Sequence, residues 1–351
     1  MRIAQVSPLL ESVPPRLYGG TERVVAYLTD SLVKAGNEVT LFASADSRTS
    51  AKLAAGRDCA VRLDEAPFKS ALAAHLSMLH DLRSQASDFD LIHFHIDLLP
   101  FPMFEEVAHR TLTTLHGRQD KKDLASYYRR WQDFPLVSIS NSQRSPMPWA
   151  NWAGTIHHGL PEDLYTPPAS PSGDYLAFLG RLSPEKRVDR AIAIARRLGI
   201  PLRIAAKVGA NDRAHFHETV EPLLDQDGIE FLGEISDGEK SEFLGNARAL
   251  VFPIDWPEPF GLVMIEAMAC GTPVIGWNCG AVPEVIDEGV TGNVVGSIDD
   301  AVKAVSRIDS LDRSVIRSTF ERRFSAAAMA REYLELYERL LGQPHLRLLK
   351  A

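Results

Sequence analysis

The chain has 351 residues and a formal net charge of −8 at pH 7. This length predicts two domains of about 150 to 200 residues each, and the acidic balance argues against a nucleic-acid-binding protein, which normally carries a basic stripe. The three cysteines have no C-x-x-C spacing, so we expect neither a metal site nor a disulfide framework, and a cytoplasmic location. No apolar stretch is long enough to predict a transmembrane helix, and none that resembles a signal peptide precedes the first predicted strand.

Short predicted strands alternate with helical segments along the chain, which is typical of parallel α/β layers. In the first half the predicted strands are 2–7, 38–42, 91–95, 111–115, 136–140 and 154–157. In the second half they are 175–179, 202–207, 229–232, 249–252 and 274–275. Residues 160–174 contain four prolines and interrupt this alternation. We therefore predict an N-terminal domain over 1–160, a linker over 161–174 and a C-terminal domain over 175–325, both Rossmann-like.

Two adjacent glycines, Gly19 and Gly20, follow the first predicted strand after a proline-containing loop. Glycine allows a ligand to approach the backbone, and the free N–H groups at a helix start attract phosphate. The pair alone is weak evidence for a ligand site. No G-x-G-x-x-G follows the strand, so the sequence does not predict a dinucleotide site here.

Several histidines occur in the first half of the chain. His93 and His95 alternate in one predicted strand, so they face the same side, an arrangement that metal ligands can adopt. Because no third ligand accompanies them, we favour structural histidines and predict no metal site. His116 stands at the end of a predicted strand and precedes Gly117, which makes it a candidate ligand contact. The alternative is a strand-end histidine that bonds only to backbone.

A charged turn opens the second predicted domain. Ser183 followed by Pro184 is a helix-start signal directly after a strand, and Arg181 and Lys186 flank this turn. A guanidinium and an ammonium at such a turn can bind phosphate. The alternative is a solvated charged helix face. The segment lacks G-x-x-x-x-G-K-[ST], which argues against a kinase or ATPase.

Two glutamates, Glu258 and Glu266, are separated by seven residues. The prolines around Glu258 predict a turn, and the apolar run after Gly261 predicts a buried helix that carries Glu266. An unpaired charge in that helix would be costly, so Glu266 needs a donor from the protein or from ligand hydroxyls. The free amides at the helix start favour phosphate. The alternative is a solvated Glu258 and a Glu266 that forms a salt bridge to the other domain.

Residues 255–286 resemble the E-x7-E region of the retaining GT-B glycosyltransferases of family 4. The similarity includes GTPVI at 271–275 and GAVPEVI at 280–286. It implies an α/β GT-B fold, with two Rossmann-like domains facing each other across a cleft. It further implies that the last helix, 326–341, crosses back to pack on the first domain.

The resemblance also implies roles for the residues of this motif. Glu258 would contact hydroxyls of the donor sugar, which makes it a predicted catalytic residue, and Glu266 would bind the ribose. The intervening backbone would hold the sugar and the distal phosphate. That backbone belongs to Phe260, Gly261, Leu262 and Val263.

Other predicted site residues take their roles from the same resemblance. Arg181 and Lys186 would bind the donor diphosphate and stabilise the departing nucleotide. Gly19 and Gly20 would lie over the donor phosphates, and His116 would contact the donor sugar or the acceptor. Arg181, Lys186 and His116 are therefore predicted to be catalytic residues.

The sequence thus predicts a retaining hexosyltransferase that moves a sugar from a nucleotide-diphosphate sugar to a hydroxyl acceptor. We expect a front-face reaction, because no side chain of the motifs is well placed to serve as a covalent nucleophile. We expect no metal and no cofactor, because no Asp-x-Asp site stands out and the resemblance to GT-B enzymes implies a metal-independent reaction. UDP-glucose is the favoured donor, while GDP-mannose, UDP-N-acetylglucosamine and ADP-glucose stay open. The alternatives are a nucleotide-sugar epimerase of the same fold and a non-catalytic nucleotide-sugar-binding protein.

The segment 118–131 combines basic and aromatic residues. Segments with this composition can bind anionic lipid headgroups. Asp120, Asp123 and Asp133 dilute its positive charge. We therefore favour a solvated helix over peripheral membrane contact.

Overall fold

The computed structural model describes residues 1–16, 19–66 and 68–342. The chain divides into two compact units. The first contains Met1–Gly159 and the C-terminal segment from Ala326, and the second is Leu160–Ser325. Each unit is built on a parallel β-sheet whose strands are connected by helices.

The sheet of the first unit is formed by β1 (Arg2–Val6), β2 (Glu38–Ser44), β3 (Lys52–Arg57), β4 (Leu91–Phe94), β5 (Thr111–Thr114), β6 (Leu136–Ser138) and β7 (Trp152–Thr155). Among the described residues the strand order is β3-β2-β1-β4-β5-β6-β7. The helices between them are α1 (Gly20–Lys34), α2 (Ala71–Ser84), α3 (Phe101–Phe104), α4 (Leu124–Tyr128) and α5 (Asn141–Arg144). Because both faces of β1 are covered, Ile3, Ala4 and Val6 are fully buried.

The sheet of the second unit is formed by β8 (Tyr175–Arg181), β9 (Leu202–Lys207), β10 (Ile229–Gly233), β11 (Ala247–Phe252), β12 (Val274–Trp277) and β13 (Gly292–Val295), in the order β10-β9-β8-β11-β12-β13. Its helices are α6 (Val188–Leu198), α7 (Arg213–His215), α8 (Glu221–Leu224), α9 (Asp237–Gly245), α10 (Leu262–Ala269), α11 (Val282–Val285), α12 (Ile298–Val305) and α13 (Arg313–Phe324). A π-helical turn, Phe216–Val220, joins α7 to α8.

The last helix, α14 (Ala326–Gly342), belongs to the first unit and packs against α1. Its buried residues recur every three or four positions, as in Met329, Tyr333 and Tyr337, which is the spacing of one helix face. The two tyrosines reach β4, since both rings lie beside His93.

The two parallel sheets confirm the predicted α/β class. Two strands, β3 and β13, were not predicted, and β7 begins two residues before its predicted start. The predicted linker over 161–174 is grouped with the second unit, where Tyr165 is buried. The proposed domain limits stay a prediction.

Candidate functional site

The second predicted glutamate lies in the short apolar helix α10, where its side chain is buried. Glu266 is 3% exposed, and its neighbours Ile265 and Ala267 are fully buried. Its Oε1 accepts hydrogen bonds from Lys240 Nζ at 2.9 Å and from Tyr165 OH at 3.4 Å. The ion pair therefore forms inside the second unit, whereas the alternative interpretation placed it with the other domain.

The other carboxylate oxygen, Glu266 Oε2, is buried and has no hydrogen-bond partner among the described residues. Buried polar atoms in folded proteins are nearly always hydrogen-bonded, because leaving one unpaired costs free energy. Lys240 neutralises the charge of the carboxylate while leaving this oxygen as an acceptor. The arrangement suits a ligand that presents hydroxyl groups.

The N-terminus of α10 depends on Gly261. Its φ of 87° is in the left-handed region, and a Cβ at this position would lie 2.8 Å from Met264 Cε and 3.2 Å from Phe252. Glycine is therefore needed for the chain to turn into the helix here. The backbone amides at this end point away from the helix and carry the positive end of its dipole.

The loop that carries Glu258 is held by the segment after β12. Ala281 N–H donates to the Glu258 carbonyl at 2.9 Å. Gly280 has a φ of 59°, and a Cβ there would overlap the backbone N and O of Glu258. The close approach of these two loops therefore requires glycine at position 280.

The Glu258 carboxylate forms an ion pair with a predicted phosphate-binding residue. Lys186 Nζ donates to Glu258 Oε2, and Trp256 Nε1 donates to the same oxygen at 2.9 Å. The ammonium of Lys186 also lies 4.9 Å from the centre of the Trp256 ring, within cation–π range. The side chains of Lys186, Trp256 and Glu258 thus form one polar cluster from two separate turns. The other carboxylate oxygen, Glu258 Oε1, can accept a further hydrogen bond.

Arg181 ends β8 and interacts with two carboxylates. Its Nη2 donates to Glu185 Oε1 at 3.1 Å, and its Nη1 lies 4.0 Å from Asp212 Oδ2. The side chain is 34% exposed, so its remaining donors are accessible to an anionic ligand.

The predicted helix start at Ser183 is wrong. Residues Pro184–Lys186 form a 3₁₀ turn, and α6 begins only at Val188, after Arg187 with a φ of 53°. The Ser183 hydroxyl donates to Glu185 Oε1 at 2.7 Å and does not cap α6. Two turns of different geometry replace one helix start because a left-handed residue cannot continue a helix.

In the first unit, Gly19 and Gly20 lie at the start of α1, where the sequence predicts a helix N-terminus. Gly19 is the N-cap residue and its carbonyl accepts from Arg23 N–H at 3.1 Å. A Cβ on Gly19 would lie 2.7 Å from Pro15 Cβ, so the preceding loop packs closely on this position.

His116 follows β5 and lies beside two other histidines. Its Nε2 is 2.9 Å from His95 Nδ1, and its ring stacks on His158 with 5.2 Å between ring centres. Burial lowers the pKa of His116 to about 3. Its side chain bonds to another side chain, whereas the alternative interpretation had it bond only to backbone. His93 and His95 are both buried beside each other, with 4.2 Å between ring centres.

The structure thus places the predicted site residues in two sets. The first unit contains Gly19, Gly20 and His116, and the second contains Arg181, Lys186, Glu258, Phe260, Gly261, Leu262, Val263 and Glu266. Only Lys186 and Glu258 bond directly to each other among the predicted side chains of the described chain. Lys240, Tyr165 and Trp256 add contacts to these residues. Lys240 and Tyr165 lie outside the predicted motifs, and Trp256 lies in the E-x7-E region, where no role was predicted for it.

The basic and aromatic stretch over 118–131 contains only one short helix, α4. Arg118 pairs with Asp120, and Arg129 lies over the Trp149 ring at 4.0 Å. Tyr127 is 54% exposed. Within the described ranges, no helix is long and apolar enough to cross a membrane.

Two family models match the chain. The one described as "Glycosyl transferases group 1" matches residues 167–322, and the one described as "Glycosyltransferase Family 4" matches residues 18–144. The chain belongs to glycosyltransferase family 4. The resemblance noted in the sequence is thereby confirmed.

Similar proteins include sugar transferases of several kinds. The D-inositol 3-phosphate glycosyltransferase of Mycolicibacterium smegmatis is 31% identical over 51% of this chain and 43% of its own length. The alpha-maltose-1-phosphate synthase of Mycobacterium tuberculosis is 27% identical over 48% of this chain and 49% of its own length. The match therefore spans about half the length of these relatives. The phosphatidyl-myo-inositol mannosyltransferase of Mycobacterium leprae is 24% identical over 96% of both chains.

Several solved structures share the fold of this chain. AviGT4, a glycosyltransferase involved in avilamycin A biosynthesis, has a TM-score of 0.74 at 24% identity, covering 98% of this chain and 99% of that chain. Anabaena HepE in complex with UDP-glucose has a TM-score of 0.74 at 17% identity, covering 97% of this chain and 100% of that chain. These likenesses establish the GT-B fold.

Proposed function

We propose that this chain transfers a sugar from a nucleotide-diphosphate sugar to a hydroxyl acceptor with retention of the anomeric configuration. The observation that carries the proposal is the buried carboxylate of Glu266, which is neutralised by Lys240 and keeps Oε2 as an unpaired acceptor. The ribose of a nucleotide offers two adjacent hydroxyls of the kind that such an oxygen binds. A ligand that makes this bond would remove the cost of burying the unpaired oxygen.

Two cations support the diphosphate part of the proposal. Arg181 ends β8, Lys186 lies on the turn that follows it and pairs with Glu258, and the N-terminus of α10 adds backbone donors. Phosphate oxygens bind such groups through charge-assisted hydrogen bonds. Glu258 Oε1 would accept from a hydroxyl of the donor sugar, because Lys186 and Trp256 both donate to Oε2.

In the proposed reaction the bond between the sugar and the diphosphate breaks as the acceptor hydroxyl attacks from the same face. The acceptor hydroxyl gives its proton to the departing phosphate oxygen on that face, and the nucleotide leaves with the bonding electrons. Lys186 and Arg181 stabilise the negative charge that develops on the diphosphate. Such electrostatic stabilisation is usually the largest single contribution to catalysis. These two cations take the role that a metal has in other transferases. The proposed route is front-face, because Glu258 pairs with Lys186 and is proposed to bind a sugar hydroxyl instead of attacking the sugar.

UDP-glucose is the favoured donor. Structures similar to this one are described as complexes with UDP and with UDP-glucose, which supports the choice of nucleotide and sugar. The acceptor is proposed only as a hydroxyl compound.

A panel of nucleotide sugars, incubated with the protein alone and with pooled acceptors, tests the proposal. We expect nucleotide release that depends on acceptor, accompanied by a new glycoside detected by mass spectrometry. Isomerisation of the donor sugar without acceptor would indicate an epimerase instead. Tight binding of UDP-sugars with neither reaction would indicate a binding protein.

A further inference from the structure

A chain of buried hydrogen bonds runs through the first unit from α14 to His116. Gln5 Nε2 donates to Tyr337 OH at 3.2 Å and lies 3.3 Å from His93 Nδ1. On its other side, Gln5 Oε1 is 2.8 Å from His95 Nε2, and His95 Nδ1 is 2.9 Å from His116 Nε2. Gln5 is fully buried and His95 is 4% exposed, so water does not compete for these bonds.

The chemistry of these groups determines where the protons lie. An amide oxygen only accepts, so His95 Nε2 carries the proton of the bond to Gln5. Burial, together with the neighbouring histidines, holds the pKa of His95 well below its usual value, so the ring is neutral and its Nδ1 accepts. His116 Nε2 must then donate, which makes Nδ1 the unprotonated nitrogen of a neutral His116.

The second ring nitrogen of His116, Nδ1, can accept a hydrogen bond from a ligand. It is buried and has no hydrogen-bond partner within the described residues. The stacked ring of His158 limits rotation of the imidazole. Nothing in the hydrogen-bond chain uses this nitrogen, although every other polar atom along the chain is paired.

The reverse proton arrangement is less favourable. Turning the Gln5 amide by half a rotation would make its nitrogen donate to His95, His95 donate to His116, and His116 Nδ1 carry a proton. That proton would belong to a buried N–H without an acceptor, and buried N–H groups of this kind are rarer in proteins than unpaired acceptors. The donor from Gln5 to Tyr337 would also be lost.

We propose that Gln5 and His95 are positioning residues that hold His116 as its Nε2–H tautomer, so that Nδ1 accepts a hydrogen bond from a sugar hydroxyl. Neither residue touches the sugar; each acts through the next ring. The identity of the ligand rests on the proposed function, whereas the tautomer is a property of the protein alone.

Nitrogen NMR of the full chain with ¹⁵N-labelled histidine rings tests the tautomer directly, with His116→Gln used to assign the signals. We expect a single Nε2–H form of His116 at pH 7, and an Nδ1–H form would overturn the proposal. On titration, a change in the Nδ1 signal with UDP-glucose but not UDP identifies the donor sugar as the hydroxyl source. A change only during turnover with an acceptor identifies the acceptor.

Two substitutions test the positioning role. Gln5→Leu removes the acceptor of His95, so either proton arrangement then leaves one buried N–H unpaired. We therefore expect His116 to lose its single Nε2–H form and show both tautomers, and turnover to fall up to about tenfold, as for loss of one hydrogen bond. Tyr333→Phe is the matched control: it removes a buried bond to Thr114, which reaches this path only through His93, and it leaves the bond between Gln5 and His95 in place, so the tautomer should be unchanged. An unchanged tautomer in Gln5→Leu would refute the role.

His95→Phe supplies a second variant if Gln5→Leu does not fold, because it keeps an aromatic ring and removes His95 Nδ1, the acceptor of the His116 Nε2–H. An inactive protein with the Nε2–H tautomer would contradict the proposed function but not the positioning role. An active protein with the Nδ1–H tautomer would contradict the positioning role but not the function.

Discussion

Removing each of the two glutamates is expected to have different effects, because they are proposed to bind different parts of the donor. Glu266→Ala should weaken binding of free UDP, since Glu266 is proposed to bind the ribose. Glu258→Ala should remove most turnover and leave UDP affinity nearly unchanged, since Glu258 is proposed to bind the sugar. Glu258→Ala is thus a matched control in the same motif.

The structure gives the expected size of the stability change. Glu266→Ala leaves Lys240, whose side chain is 13% exposed, without its 2.9 Å partner. Breaking a buried pair costs 3 to 5 kcal/mol, and we expect about 3 kcal/mol because Asp237 still lies 3.1 Å from the ammonium. For a domain of this size the melting temperature should fall by about 6 to 12 °C.

Glu266→Ala should also lose affinity for UDP. A hydrogen bond to a charged group contributes about 1.5 to 3 kcal/mol, so the affinity of Glu266→Ala for UDP should fall about ten- to a hundredfold. Calorimetric titration of UDP into both variants, well below their melting temperatures, measures this difference. Equal losses in the two variants, or no loss in either, would refute the proposed division of roles.

Three further outcomes are expected. EDTA should leave transfer activity largely intact, and complete loss restored by Mg²⁺ or Mn²⁺ would contradict the metal-free mechanism. Gly280→Ala should displace the Glu258 loop and lower turnover more than tenfold, whereas Gly289→Ala, with a φ of 70° and open space around it, should retain activity; equal effects would exclude the steric explanation. His95 and His116 have pKa values below the ordinary value in the folded chain, so below about pH 6.5 the unfolded chain binds more protons. Their contribution to stability is complete above that pH, and each should lose roughly 1 kcal/mol between pH 7 and 5.5, measured by urea unfolding; a flat profile would count against buried neutral rings.

Central strands such as β8 and β11 could be predicted because each contains at least four consecutive apolar residues. Edge strands gave weaker signals. Lys52–Arg57 contains a glycine and two basic residues, and Gly292–Val295 has only two apolar residues, so neither shows the pattern of a buried strand.

The charged residues of the candidate site could be predicted from local motifs, but their partners could not. Lys240 is 26 residues from Glu266 and Tyr165 is 101 residues away, and only the fold brings these side chains together. The pair between Lys186 and Glu258 likewise joins turns 72 residues apart. The left-handed Arg187 was missed because a strand-to-helix turn with Ser and Pro usually starts the helix at once.

The central claim is transfer of a sugar with retention, and the anomeric configuration of the product tests it most directly. Proton NMR of a reaction with UDP-glucose and an accepted hydroxyl compound resolves the new anomeric signal. We predict an α-glucoside formed together with free UDP. A β-glucoside, or an altered sugar still attached to UDP, would contradict the account.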